Sequence, residues 1–472
     1  MTTLAKAAVL PGTLAESRPG TPGSWRVASL AILAGGFVIG GRLASGHPRG
    51  LTSAVLAAAG LTIGAIARAS RRPPLQPTAL ASTLDASTPS PAAVRPTFSV
   101  IVAARDEALV LPHVIADIAA QDHRDAAGEP CFELVVIDDR STDGTAGAAR
   151  QAANSAGLGA VTRVMRRDGD DLPDGKGAAL TACQPGDCTG DVVVVLDADA
   201  RVSPTFLSTL AGYVERGAGA ITPRRRTLDA GMSLMAQVQA DEQTLDGELQ
   251  RARWSMGGCS EFRGNGIVVD RKLLAAVGGW RAEALTEDLD LSSRVAAQTG
   301  VTVAWALDAQ VWEQPVTTWP ALWRQRLRWA EGGLRRVLEH GPAVLRSASL
   351  PVPSRLDFAA YAGQLFAPPI LLGALAVGAA GRRPQAGVSL FAGYFAFLAT
   401  LLFDALRWES GASGRSLAVP DRLRRSILGA LFSSVWLAAV PVSMWRLATR
   451  RGPVGYDKMP HVGTGRSLEA TG

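Results

Sequence analysis

At 472 residues the chain is long enough for one large domain with accessories, or for two or three domains. Its 48 Lys and Arg against 42 Asp and Glu leave a mild basic excess of +6. The arginines gather beside apolar runs and form no nucleic-acid module, which points to a membrane surface and away from nucleic acid. Four cysteines (Cys131, Cys183, Cys188, Cys259) make no framework. Cys183 and Cys188 flank a Gln-Pro-Gly-Asp turn and could pair; with no histidine near them, free cytosolic thiols are expected.

Residues 1–25 read as a disordered polar lead. Two apolar stretches follow, 26–41 and 51–67, separated by Arg42, His47 and Arg49. Each is near the lower limit of the roughly 17–25 residues that span a bilayer. Their Ala/Gly content suits close helix packing. A cleaved signal peptide is the alternative for the first. The second stretch, and the lack of a charged start before the first, argue for a transmembrane hairpin over 26–67. Arg68, Arg71 and Arg72 favour a cytoplasmic exit. Residues 68–97, rich in Pro, Ser, Thr and Ala beyond residue 73, form a linker.

From residue 98 the texture alternates between strand and helix. Strands are expected at 98–104, 132–137, 161–165, 192–196 and 218–222. Helices are expected at 107–121, 145–156, from Gly177 to Cys183, and at 203–216, the last with Ser203-Pro204 as cap and first turn. Such alternation predicts a soluble α/β domain over 98–318 with a mostly parallel sheet. Residues 319–340 place Trp319, Leu322, Trp323, Leu327, Ala330 and Leu334 at helical spacing, with Arg324, Arg326, Arg328, Arg335 and Arg336 mainly opposite. This predicts an amphipathic helix lying on the membrane, although a core-packed surface helix has the same pattern. Apolar runs at 357–380, 386–406 and 427–445 make residues 357–446 a set of transmembrane helices, followed by a tail at 447–472. Five spans are expected. An odd count puts the basic tail opposite a cytoplasmic catalytic domain, against the charge rule, so one span is miscounted or re-entrant.

The chemistry gathers at strand ends. The β-branched run 192–196 reads as a strand buried on both faces, and it stops at Asp197 and Asp199. The carboxyl edge of such a strand is the usual place for a ligand. Two carboxylates on a short lever suit Mg²⁺ or Mn²⁺ bridging a diphosphate, if the chain bends; a solvated turn capped by aspartates has the same text. Asp138 and Asp139 end another strand. Thr286-Glu287-Asp288 opens a helix, with Thr286 as its N-cap. Gln325, Arg328 and Trp329 share one helix face. Each cluster alone has a bland reading as a turn, a first-turn carboxylate or a surface. Four together, in this order, are hard to dismiss.

The series V-I-D-D-R-S-T-D-G-T, D-A-D, T-E-D and Q-R-L-R-W resembles the signature of membrane-bound family 2 glycosyltransferases, which include cellulose, chitin and hyaluronan synthases and glycolipid-forming enzymes. The resemblance implies a GT-A fold, a nucleoside-diphosphate sugar donor, Mg²⁺ or Mn²⁺, and transfer with inversion. By the same resemblance, Arg105 lines the nucleoside pocket, and Asp138 and Asp139 hold uracil and ribose. Lys176 lies near the diphosphate, although the family text is nearer Lys-x-Gly-Ala-Leu than the Lys-Gly-Ala-Ala-Leu found here. Asp199 ligates the metal with Asp197 in support, Asp288 is the catalytic base, and Gln325, Arg328 and Trp329 close over diphosphate and acceptor. Arg263-Gly264-Asn265-Gly266, Gly278-Gly279-Trp280 and Arg328-Trp329-Ala330-Glu331-Gly332-Gly333 are similar to the cyanobacterial branch that moves glucose from UDP-glucose to diacylglycerol in the bilayer. Two alternatives remain: a processive polysaccharide synthase, which needs a pore that five short Ala-rich spans build poorly, and a non-catalytic nucleotide-binding scaffold.

Overall fold

The computed structural model describes residues 22–46, 95–169, 173–381, 384–409 and 416–450, with the isolated positions Ser53, Gly60 and Gly64. The apolar stretch expected at 51–67, apart from those positions, lies outside the described residues. So do most of the expected lead, linker and tail.

In chain order the elements are helix α1 (Gly23–Gly46), strand β1 (Phe98–Ala104), α2 (Leu111–Ala119), β2 (Phe132–Asp139), α3 (Thr145–Ser155), β3 (Thr162–Arg167), α4 (Lys176–Leu180), β4 (Val192–Asp197), β5 (Arg201–Val202), α5 (Phe206–Val214), β6 (Ala220–Thr227), α6 (Leu234–Ser255), β7 (Ile267–Asp270), α7 (Arg271–Ala276), α8 (Glu287–Thr299), β8 (Ala304–Glu313), α9 (Trp319–Arg346), α10 (Val352–Ala362), α11 (Ala367–Ala380), α12 (Pro384–Ala405), α13 (Val419–Ser433) and α14 (Val435–Thr449).

The eight strands form one sheet in the order β3-β2-β1-β4-β7-β6-β8-β5. Strands β3, β2, β1 and β4 are parallel, as the alternation of strand and helix requires. The expectation of a mostly parallel sheet holds for that half and for the parallel β6–β8 pair, but not throughout. Strand β7 pairs antiparallel with both β4 and β6, and β5 antiparallel with β8, so the sheet is mixed. Side chains alternate across the pleat. Val100, Val102, Val194 and Leu196 pack under α2 and α5 on one face. Ile101, Val135, Val193 and Val195 pack with Leu291, Val295 and Trp280 on the other. Ser203-Pro204 stands before its helix, which begins at Phe206 after an N-cap at Thr205.

Four helical stretches among the described residues are long and apolar enough to cross a membrane: Gly23–Ser45, Val352–Ala380, Gly387–Ala405 and Val419–Thr449. Helices α1 and α11 touch backbone to backbone, since a Cβ on Gly40 would fall 1.9 Å from the carbonyl oxygen of Ile370. Helix α9 is longer than expected and is packed on two sides. Arg326 and Arg336, expected on its outer polar face, are buried. Arg326 pairs with Glu242 and Arg336 with Glu261 (2.7 Å). Ala330 and Leu334 pack with Val440, Met444 and Leu447 of α14. Sulfurs of Cys183 and Cys188 lie 3.7 Å apart as free thiols.

Candidate active site

Register brings the predicted carboxylates to one edge. Ala104, the last residue of β1, pairs with Asp138 on β2, and Ala103 pairs with Asp197 on β4. The two loops beyond this edge clasp each other. The backbone N–H groups of Asp106 and Glu107 donate to the Ser141 and Thr145 hydroxyls (2.9 and 2.8 Å), and Thr142 N–H donates to Asp106 (2.7 Å). Asp106 and Arg140 hold positive φ angles of 50° and 59° to make this fit.

On the nucleoside side, Asp139 is buried and accepts from Arg140 (3.1 Å) and Arg167 (2.7 Å). Arg105 and Arg140 both donate to Asp174 (2.9 and 2.6 Å). Asp138 is fully buried. One of its oxygens accepts the Ser141 N–H (3.1 Å), and the other has no hydrogen-bond partner among the described residues. That oxygen faces the Arg166 guanidinium at 3.8 Å without a hydrogen bond, which leaves it able to accept from a ligand.

The diphosphate side centres on Lys176, the first residue of α4. Its ammonium donates to the Asp197 carboxylate and to the Gly264 carbonyl (2.7 Å) and lies 3.7 Å from Glu287. Burial alone would lower its pKa, but Asp197 and then Glu287 outweigh that and hold it above the ordinary value. The Gly264 N–H donates to Asp288 (2.7 Å). One residue, Gly264, thus separates Lys176 from the predicted base. Next to it, the Asn265 side-chain oxygen accepts the Asp197 N–H (3.1 Å) and its amide donates weakly to Glu313 (3.5 Å). The Gln314 N–H donates to Asp199 (3.1 Å). Only glycine fits at 266, where φ is +83° and a Cβ would fall 2.3 Å from Pro223.

Thr286 does stand at the N-cap of α8, but its side chain makes no capping hydrogen bond; Gly332 of α9 packs against it instead. Burial pushes the Glu287 carboxyl up to about 7, Lys176 pulling it down and Asp288 pushing it up further.

Trp329 is clamped. It stacks on Trp436 of α14 (centroids 6.5 Å, planes 16° apart), while the guanidiniums of Arg326 and Arg225 lie 4.5 and 5.7 Å from its centroid. Glu242 on α6 ties the clamp together, accepting from Arg326 and from the Trp436 indole N–H (2.6 Å). Gln325 accepts from Arg326 (2.5 Å), and Arg328 is half-buried on the same helix. Arg225, 3.6 Å from Glu313, joins the clamp to the Asn265 side of the site.

The predicted metal ligands fit a hard cation by their chemistry. Asp197 and Asp199 offer carboxylate oxygens at the end of β4, and Asp197 stays about a third exposed to the cleft. A different trio, Asp290, Glu339 and His340, brings its ligand atoms within 4.8 Å of one another behind α8. Arg281 and Arg294 already bind Asp290 there (3.0 and 2.8 Å), which makes it an ion-pair knot. Sequence reasoning missed Gly264, Asn265, Glu313, Glu242 and Trp436; the run Arg263-Gly264-Asn265-Gly266 was the available signal for the first two.

A mixed sheet that gathers aspartates, a lysine and a Thr-Glu-Asp helix start at one edge, with apolar helices beside it, is a GT-A glycosyltransferase fold. Residues 96–332, half of the chain, match the family model described as glycosyltransferase like family 2, and the chain belongs to that family. It is similar to the beta-monoglucosyldiacylglycerol synthase of a Nostoc species, with 32% identity over 257 residues, 53% of this chain and 52% of the relative. It is also similar to the beta-monoglucosyldiacylglycerol synthase of a Synechocystis species, with 30% identity over 373 residues, 78% and 75% of the two chains. The chain thus spans about half the length of the first relative. Among solved structures, the mannosyltransferase PcManGT from Pyrobaculum calidifontis, in complex with GDP-mannose and Mn²⁺, shares the fold: TM-score 0.54 at 22% identity, covering 89% of this chain and 97% of that one.

Proposed function

We propose that the protein moves one hexose, glucose from UDP-glucose, to the hydroxyl of 1,2-diacylglycerol with inversion, giving β-monoglucosyldiacylglycerol. The names of the similar synthases support a single glucosyl group and a diacylglycerol acceptor. The observation that carries it is the position of Asp288. Its carboxylate is one residue from the Lys176–Asp197 pair, on a helix that α9 presses against from the membrane-helix side.

Inversion needs one base on the acceptor side while the nucleoside diphosphate leaves from the other. Asp288 takes the proton of the lipid hydroxyl. Asp138, Asp139 and Arg105 hold the nucleoside. Lys176 and Arg328 offset the charge that builds on the leaving diphosphate. Mg²⁺ or Mn²⁺ held by Asp199 and Asp197 would supply further neutralisation of that charge. Gln325 and the clamped Trp329 close the site over diphosphate and acceptor. The 98–318 domain faces the cytoplasm on a multi-pass anchor, with α9 at headgroup depth, so that a lipid reaches Asp288 without leaving the bilayer.

The test is full-length protein in phospholipid nanodiscs with labelled UDP-glucose or UDP-galactose, diacylglycerol, and Mg²⁺ or Mn²⁺. The expected product carries one hexose per lipid, with glucose preferred. Long water-soluble glycan formed without added lipid would overturn the reading, and so would absence of UDP release under every condition.

A further inference from the structure

A cavity of about 360 Å³ opens between β6, α6 and the start of α13. Its lining includes four guanidiniums, those of Arg225, Arg226, Arg424 and Arg425, but only two carboxylates, those of Glu409 and Asp421. Glu409 is heavily used already. It pairs with the buried Arg224 and with Arg226 (3.0 Å), and it also accepts the Thr244 hydroxyl (3.1 Å). Arg425 is held by Asp241 (2.9 Å). Arg424 is exposed and makes no hydrogen bond or ion pair among the described residues. Two guanidiniums sharing one carboxylate, beside a further unpartnered one, leave positive charge that a bound anion would offset.

The mouth of this cavity has a defined depth. Val419, Leu423, Ile427 and Leu431 are all exposed and recur every fourth residue, so α13 offers an apolar stripe to lipid along one side. Arg424 follows Leu423 directly. An apolar stripe flanked by arginine lies where acyl chains meet headgroups. The surplus charge therefore faces the phosphate layer.

We propose that this cavity binds a phosphate monoanion carried on a lipid headgroup, separately from the donor site. Its ligand is distinct from the neutral acceptor, and the site stands whether or not diacylglycerol is that acceptor. It also touches the catalytic side through Arg225. Arg225 lines the cavity, lies over the Trp329 ring and neighbours Glu313. A phosphate that draws on Arg225 is felt by the clamp that closes the site.

Binding can be read without any transfer reaction. Full-length protein is placed in phosphatidylcholine nanodiscs with increasing phosphatidylglycerol, and retained phosphatidylglycerol is counted by native mass spectrometry. Arg424→Glu should weaken the apparent Kd about fivefold or more, the scale of one arginine near an anionic surface. Arg424→Gln should weaken it less, and Asp421→Asn should tighten it. Arg346→Glu makes the same charge change at an exposed site on α9 outside the cavity, and should leave the Kd where it is. Wild-type retention in Arg424→Glu and Arg424→Gln would overturn the site. An equal loss in Arg346→Glu would overturn it too, by reducing the effect to bulk surface charge. In a second arm, inorganic phosphate is titrated into protein in phosphatidylcholine alone; binding as tight as that of phosphatidylglycerol would overturn the assignment to a lipid.

Discussion

Gly332 of α9 lies directly against Thr286, the residue that opens α8: a methyl group at position 332 would fall 2.3 Å from the Thr286 Cγ2 and 2.6 Å from its hydroxyl. The absence of a side chain at 332 is what lets the membrane-side helix sit on the Thr-Glu-Asp segment. Gly332→Ala should force the two helices apart at a strain of about 1–3 kcal/mol. Thermal midpoint and turnover check this together. A modest fall in the midpoint with a larger fall in transfer is expected, and wild-type turnover would show that this seat is not needed.

Glu287 gives a pH signature. Its pKa stands at about 7 in the fold against about 4.5 ordinarily, so the native state binds more protons than the unfolded chain between those values. Its contribution to stability is fully present below about 4.5 and is lost as pH rises through about 7. Lys176, held above its ordinary value, contributes across this whole window and loses its contribution only as pH rises through that higher value. Glu287→Gln should therefore gain on the wild type as pH rises through the window. Denaturation midpoints measured at a series of pH values decide; a constant offset between the two proteins would count against a proton held at Glu287.

Asp288→Asn keeps the shape of the base and removes its proton affinity. Transfer should fall roughly 10²–10⁴-fold with donor binding kept. Asp199→Ala should instead lose metal-dependent donor binding. Donor titration and single-turnover transfer, run on both variants, separate the roles. Equal losses of binding and rate in Asp288→Asn would make it a binding residue.

The clamp on Trp329 predicts a split between kinetic constants. Trp436→Ala removes a stacked ring worth about 0.5–1.5 kcal/mol, so the acceptor KM should rise roughly threefold to tenfold while the donor KM holds. Trp436→Phe keeps a ring but not the N–H given to Glu242, and should recover part of the loss. Steady-state kinetics with either substrate varied test this, and a rise confined to the donor KM would contradict it.

Local text carried much of the core. Strand β1 was readable to its last residue, and β4 to within one residue of its end, because a run of buried β-branched residues has few other uses. The carboxylates Asp138 and Asp197 could be placed at one edge for the same reason. Helix α6 was not legible. Its buried positions include Gln239, Asp241, Glu248 and Arg251, so hydrophobic periodicity says nothing about it. The partners that make such burial tolerable lie far along the chain, as with Arg407 and Arg425. Strand β7 is four residues long, and its antiparallel insertion beside β4 is a matter of topology that no local pattern encodes. Gly264 joins Lys176 to Asp288 through its own carbonyl and N–H, groups that every residue type carries, so its part in the site had no side chain to announce it.

Helix α6 also sets where the chain can be divided. Asp241, Glu242 and Glu248 are met by Arg425, Arg326 and Arg407, all beyond residue 318, and Glu409 returns the exchange to Arg224 and Arg226. A fragment cut at 318 would leave Glu248 its Arg251 partner but strand Asp241, Glu242 and Arg224, and stranding one member of a buried pair costs about 3–5 kcal/mol. The stretch that looks like a free-standing domain is thus not an exchangeable part. A chimera that grafts it onto a relative's membrane helices would fold only if the matching arginines and Glu409 travelled with it.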